Sequence, residues 1–327
     1  MARIVLHIGL HKTATRFLQR ALFRNLDPSA FHVNPPALMA ALRRAIREPG
    51  DDTRRVLAAA AEAALAEAGE RTLLVSDPGI SGDLFNNHDD YADNLALVHS
   101  VFPRATVLYF VRRQSDWLHS AYRQMLVKGR SAPIEVFLNF RDGAFRPRLA
   151  RRVNGVRTLD ARALKLLEIY RAWCDAYGPE RVYLFRQEDL RGNPEAVYAR
   201  LAEALGLQRL PELPARVSGN RAFSALAIRI FFPGTARRPD FDRARLDATP
   251  PGGPLWTLGR PLRKLRTLII RHGFDRVIYR DWDLLAAHGM REQLDAHYAD
   301  ENRRLNRAAA EILEHGPGPT ARAAADG

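Results

Sequence analysis

Gly9-Leu-His-Lys-Thr-Ala-Thr-Arg16 is the first stretch whose residue types and order can do chemistry. It follows a β-branched apolar run, Arg3-Ile-Val-Leu-His-Ile8, and leads into Phe17, Leu18, Ala21 and Leu22, which share one helical face. A glycine ending a buried strand, then a lysine, two threonines and a helix, makes a cradle for a phosphate-like anion. The N–H groups of Thr13, Ala14, Thr15 and Arg16 point out of the first helical turn, where they and the helix dipole favour negative charge. Lys12 adds a mobile point charge. Thr13 and Thr15 either add hydroxyl donors or cap the helix. The lysine is itself informative, because the chain holds only four, Lys12, Lys128, Lys165 and Lys264, beside 46 arginines.

Three more polar groups stand at the ends of apolar runs. Ser76-Asp77 closes Thr72-Leu-Leu-Val-Ser76, Arg112-Arg113 follows Ala105-Thr-Val-Leu-Tyr-Phe-Val111, and Arg186-Gln-Glu-Asp189 follows Val182-Tyr-Leu-Phe185. Such runs read as buried parallel strands. Between and after them, helical patterns span 53–69 with Gly69 as C-cap, 91–101, 115–127, 160–177 and 194–206. Strands alternating with helices of this length predict an α/β fold, a parallel sheet with helices on both faces. Ligands of such sheets sit beyond the carboxyl ends of the strands, where all four polar groups stand.

The first loop is not a Walker A motif, which needs its lysine directly after a second glycine, and no Asp-ended strand offers itself to Mg²⁺. An ATPase or GTPase is therefore disfavoured. Taken together, the first and third groups resemble the PAPS-dependent sulfotransferases, in the variant found in bacterial enzymes associated with carbohydrate acceptors. Lys12-Thr-Ala-Thr15 matches their 5′-phosphosulfate loop. Arg112 and Ser120, within Val111-Arg-Arg-Gln-Ser-Asp-Trp-Leu-His-Ser-Ala-Tyr122, match their 3′-phosphate site. The resemblance runs over roughly residues 3 to 205, with a Tyr298-x-x-x-Asn302-x-x-Leu305 pattern near the end.

The resemblance implies a P-loop-NTPase-like sheet and a PAPS site drawn from His11, Lys12, Thr13, Ala14, Thr15, Arg16, Arg112 and Ser120, with 3′,5′-ADP as product and no metal. Lys12 would stabilise charge growing on the departing bisphosphate, and Arg112 with Ser120 would hold the 3′-phosphate that separates PAPS from ATP. Three departures stand out. Ala14 replaces the usual glycine, so the loop must manage without φ > 0 there or with strain. Arg16 replaces a threonine or serine. Pro78 stands where the family tends to carry a glutamate, leaving Asp77 as the nearest general base, although an Asp before Pro-Gly is equally a turn residue. His7, His11 and His88 are lesser candidates. For the acceptor, Ser81, Asn86, Asn87, His88 and Asp89 offer groups suited to sugar hydroxyls, Tyr91 either stacks on a ring or starts the next helix, and Arg237, Arg238, Arg243 and Arg245 either read an anionic saccharide or are solvated. The expected reaction is O-sulfation of a carbohydrate or glycoconjugate hydroxyl.

Composition limits the alternatives. Of 327 residues, 46% are apolar and 27% charged, which is globular composition and excludes collagenous and wholly disordered chains. A single cysteine, Cys174, excludes an intramolecular disulfide and a Cys-based zinc cluster. His7, His11 and Lys12 interrupt the apolar start before a signal-peptide core can form, and no run approaches the ~20 apolar residues of a membrane span, so a soluble, cytoplasmic protein is expected. The net charge of +13 favours anionic partners without choosing among them. Two alternatives follow: a non-catalytic nucleotide- or polyanion-binding module, or a P-loop kinase with an altered phosphate loop. Nucleic acid is disfavoured because the arginine pairs are scattered rather than interleaved with aromatics. Residues 1–315 are expected to form one α/β domain, with a loop or flap at 232–261, a long charge-laced helix over 290–313 and a flexible tail at 316–327.

Overall fold

The computed structural model describes residues 3–149, 152–153, 156–212, 222–235, 241, 246–247, 261–262 and 265–327. The chain divides into two compact units: Met1–Arg112 with Lys165–Ser218 and Asp300–Gly327, and Arg113–Leu164 with Gly219–Ala299.

The first unit is built on a five-stranded parallel sheet of β1 (Ile4–His7), β2 (Phe31–Val33), β3 (Thr72–Ser76), β4 (Thr106–Val111) and β5 (Val182–Arg186), in the order β2-β3-β1-β4-β5. The strands read as continuous apolar runs because the sheet is covered by helices: Val5, Leu6, Leu73, Leu74, Val107, Leu108, Phe110 and Leu184 are all fully buried. This is the expected α/β architecture, a parallel sheet flanked by helices. The four strands anticipated from sequence lie at the sheet's centre and one edge. The fifth, β2, is only three residues long and pairs through Phe31 to Val33 with Thr72 to Leu74.

Among the helices of this unit, Pro36–Arg47 and β2 lie in a region where sequence reading assigned no element. Two prolines precede and begin that helix, with Pro36 at its first position. Asp51–Ala68 ends at Gly69, whose φ of 61° supports the C-cap expected there, and Pro194–Leu205 ends at Gly206 in the left-handed region. The stretch expected as one helix over 290–313 is two, Arg291–His297 and Ala299–His315. The break falls at Tyr298, whose ring is buried and whose hydroxyl donates to the Ala161 carbonyl and accepts from the Leu164 N–H. Residues 316–327, expected as a flexible tail, instead carry the helix Pro319–Asp326. Its Ala321 and Ala325 are buried, Arg171 donates to the Ala325 carbonyl, and Arg322 pairs with Asp175.

The second unit centres on the helix Gln114–Val127, which buries Trp117, Leu118, Ala121, Tyr122, Met125 and Leu126. Its polar face is clamped within the same unit. Arg123 makes a two-pronged bond to Asp281 at 3.0 and 2.6 Å, Arg291 bridges Asp116 and Asp283, and Ser115 donates to Asp295 at 2.5 Å. Of the expected 232–261 loop, Pro233–Thr235 is a short 3₁₀ turn and Leu246–Asp247 pairs antiparallel with Arg152–Val153. Residues 236–240, 242–245 and 248–260, which include Arg237, Arg238, Arg243 and Arg245, lie outside the described residues.

Candidate active site

The strand exits of the first unit stand in a row. Beyond the ladder, Ile8 N donates to the Leu108 carbonyl, Leu10 N to Phe110, Asp77 N to His7, and Gln187 N to Val111. These bonds line up the ends of β3, β1, β4 and β5, so the chain after β1 starts beside the residues leading to Arg112 and beside Ser76-Asp77.

At the β1 exit, Gly9 is fixed by close approach. A Cβ there would stand 2.8 Å from His7 Nε2 and 3.2 Å from Phe110 Cβ. The loop then takes left-handed backbone at two non-glycine residues, Lys12 at φ 71° and Ala14 at φ 64°, ψ 8°. Of the two expectations for Ala14, the structure realises strain: the alanine adopts the conformation a glycine would take freely. The helical turn Thr15–Phe17 follows and runs on as the π-helix Leu18–Leu22. Thr13 is buried and its hydroxyl donates to the Leu10 carbonyl at 2.6 Å, while Thr15 Oγ1 donates to the same carbonyl at 3.3 Å. Each hydroxyl proton is thus turned to the loop's own backbone, which holds the turn in shape. Arg16 is exposed.

A buried polar network braces this loop from behind. His7 Nδ1 lies 2.7 Å from Ser76 Oγ, Gln19 Nε2 donates to both Ser76 Oγ and the Ser76 carbonyl at 3.0 Å, and Asn34 Oδ1 accepts from Ser76 N at 2.6 Å. His7 is fully buried with Phe23 and Phe110 edge-on to its ring, and burial pushes its pKa down to about 3, so it is neutral at pH 7. Its position is that of a structural histidine. Gln19 and Asn34 were not singled out from sequence; the one available signal was the turn dipeptide Asn34-Pro35, and Asn34 indeed has φ 47°.

Asp77 caps the turn Pro78–Ser81 through Oδ1, which accepts from Gly79 N at 2.8 Å, and its Oδ2 accepts from Arg43 Nε at 2.6 Å. Arg43, also unanticipated, comes from the helix Pro36–Arg47. The segment that follows is tightly built. Ser81, Asn87 and His88 are buried, Ser81 Oγ donates to the Pro78 carbonyl, and Asp90 Oδ1 accepts from Asp83 N. His88 reaches back to the loop: its ring centroid is 6.2 Å from that of His11, and burial, with a smaller contribution from His11, lowers its pKa to about 3. Tyr91 begins the next helix and donates to Glu168 at 2.7 Å.

Arg112 directly follows β4 and is partly exposed, while Arg113 is exposed. Ser120, eight residues on, is a partly buried residue of the helix Gln114–Val127 in the second unit. At the β5 exit, Arg186 is committed to Asp189 and, at 2.7 Å, to Asn306, an internal pairing that the sequence did not reveal.

A family model described as the sulfotransferase family matches residues 5–212. Among solved structures, the chain is similar to a sulfotransferase from Alicyclobacillus acidocaldarius, with 16% identity, 72% of this chain and 94% of that one covered, and a TM-score of 0.45. It is also similar to the sulfotransferase domain from the curacin biosynthetic pathway, with 14% identity, 65% and 76% covered, and a TM-score of 0.41. A search of curated proteins found no significant match.

Proposed function

The chain belongs to the sulfotransferase family, and from that premise we propose that it uses PAPS as donor and a hydroxyl of a carbohydrate or glycoconjugate as acceptor. The observation that carries the reading is the loop after β1. Gly9 cannot carry a Cβ, and Lys12 and Ala14 hold positive φ where an anion cradle needs its backbone to turn. That geometry fits a phosphosulfate. PAPS, when bound, supplies a sulfuryl group on a bisphosphate leaving group.

The chain's own residues divide the remaining work. The N–H groups from Thr13 to Arg16 orient the 5′-phosphosulfate, with His11 beside them. Lys12 aims its ammonium at the oxygens where negative charge grows, which is electrostatic catalysis by a preorganised group. Arg112 and Ser120 take the 3′-phosphate, the arginine by charge-assisted bonds. Asp77 receives the acceptor's proton: the Gly79 N–H and Arg43 orient its carboxylate, and these two bonds leave further lone pairs open. Of the polar residues singled out at 81–89, Asn86 and Asp89 reach the surface while Ser81, Asn87 and His88 are buried, and those two suit sugar hydroxyls better than a flat phenol, for which Phe85 is nearly the lone aromatic there.

Calorimetric titration with 3′,5′-ADP, ATP-Mg²⁺ and a short oligonucleotide tests the donor. Clear preference for 3′,5′-ADP is expected, and equal or tighter binding of ATP-Mg²⁺ refutes PAPS. A screen of PAPS turnover against phenols, simple alcohols, amines and oligosaccharides tests the acceptor, and strong activity on p-nitrophenol alone refutes the carbohydrate reading.

A further inference from the structure

The peptide that joins Ser76 to Asp77 is gripped at both of its polar ends. Its N–H, that of Asp77, donates to the His7 carbonyl at 3.2 Å and extends the β1-β3 ladder by one bond. Its carbonyl, that of Ser76, points to the same side as the Ser76 N–H, which Asn34 Oδ1 takes at 2.6 Å because β2 has ended at Val33. Where the next ladder donor would stand, Gln19 Nε2 donates instead, at 3.0 Å to the Ser76 carbonyl and at 3.0 Å to Ser76 Oγ. A carbonyl only accepts, so this contact fixes which end of the Gln19 amide faces it. Ser76 is fully buried, and without Gln19 its carbonyl has no water to turn to.

Gln19 belongs to the chain that forms the cradle. Leu18 N donates to the Ala14 carbonyl at 3.1 Å, so the turn Thr15–Phe17 passes without a break into Leu18–Leu22, which is seated by the buried Leu18, Ala21 and Leu22. That stretch is a π turn, a form uncommon in itself and frequent at functional sites. Arg16 and Arg20 beside Gln19 are exposed, whereas Gln19 is turned to Ser76. One side-chain amide thus joins the helix after the cradle to the peptide that carries Asp77. The Asp77 carboxylate is aimed separately, by Gly79 N and Arg43. In-line transfer asks for base, acceptor oxygen and sulfur to be held to within about 0.5 Å of their productive places, and Gln19 is a short route between the two groups that must be held.

We propose that Gln19 is a positioning residue: it sets the place of Asp77 relative to the phosphosulfate cradle, and thereby the rate of transfer, without touching donor or acceptor. The role rests on the reading of Asp77 as the base.

Gln19→Met keeps the length of the side chain and removes the donor. With saturating 3′,5′-ADP, amide exchange across 76–81 should be faster than in wild type while that across 13–18 is unchanged, and calorimetry should give a 3′,5′-ADP affinity within about twofold of wild type. This arm needs no acceptor and can overturn the proposal by itself. With PAPS and the fastest acceptor among cellobiose, maltose and N,N′-diacetylchitobiose, kcat should fall about tenfold or more with KM for PAPS little changed, because a misplacement of about 1 Å is worth at least that order. In an Asp77→Asn background the same substitution should cost almost nothing further, since both changes act on one group, whereas a purely structural loss would add in full. Gln19→Leu should behave alike, and takes the place of the methionine variant if that does not fold. Unchanged exchange across 76–81 overturns the proposal. So does a loss of 3′,5′-ADP affinity of about tenfold, which would make Gln19 a prop of the cradle alone, and so does an undiminished cost in the Asp77→Asn background. Asp77→Asn at the wild-type rate instead removes the base reading itself and leaves Gln19 nothing to position.

Discussion

Lys12 and Asp77 are the residues on which the proposed chemistry rests, and they should fail differently from the residues that shape the loop. Lys12→Ala is expected to lower kcat at least about 10²-fold, because a preorganised charge aimed at the transition state is worth that order. Asp77→Asn should also cost about 10²-fold or more if its carboxylate takes the acceptor proton. Asparagine still caps Gly79, so a wild-type rate in that variant would leave Asp77 with only the turn and the Arg43 pair. Ala14 poses the opposite case. Its φ of 64° strains an L-residue, and Ala14→Gly should relieve this by about 1 kcal/mol, partly offset by the entropy glycine loses on folding. A rise in melting temperature with unchanged nucleotide affinity is the expected result, and a fall would mean that the alanine methyl makes contacts worth more than the strain.

At the scale of elements, the strands and their exits were legible because burial on both faces writes continuous apolar runs into the sequence, and because polar residues directly after such runs have one place to go. What could not be read was cross-strand. Nothing in His7, Gln19 or Asn34 alone reveals that they converge on Ser76, since the convergence is created by the β3-β1 pairing and by the turn at Asn34. β2 escaped notice because three residues are too few to show a period, and the two-helix form of 291–315 because Tyr298 finds its hydrogen bonds at 161 and 164, far away in sequence. The bracing network has a direct test. Ser76→Ala removes the hydroxyl that both His7 Nδ1 and Gln19 Nε2 meet, leaving buried polar atoms without that partner at a cost of about 1–3 kcal/mol. Chemical denaturation should show that loss, and a midpoint within error of wild type would mean that the network does not brace the fold.

Over the whole molecule, buried histidines set how the protein responds to acid, and the two units should respond unequally. In the first unit, burial lowers both His7 and His88 from 6.5 to about 3. Unfolded, each takes up a proton near pH 6.5; folded, neither does until about pH 3. The unfolded state therefore binds more protons across that window, and stability falls as the pH is lowered through it. Each group contributes a slope of up to about 1.4 kcal/mol per pH unit. In the second unit the shifts oppose one another. His119 is lowered to about 4, chiefly by burial, whereas the hydrogen bond to Glu135 raises His288, which is stabilising below its ordinary value and loses that contribution as the pH rises through the folded one. The depressed carboxylates Asp281 and Asp283 lose their stabilisation only as the pH falls through their still lower range, so they do not enter between pH 6.5 and 5. Hydrogen exchange followed peptide by peptide at pH 7 and pH 5, corrected for intrinsic rates, should show protection falling first in β1, β3 and the 77–90 segment. Segments around 119 and 288 should hold theirs. Equal loss in both units, or none in β1, would mean that His7 and His88 do not stay neutral in the folded protein.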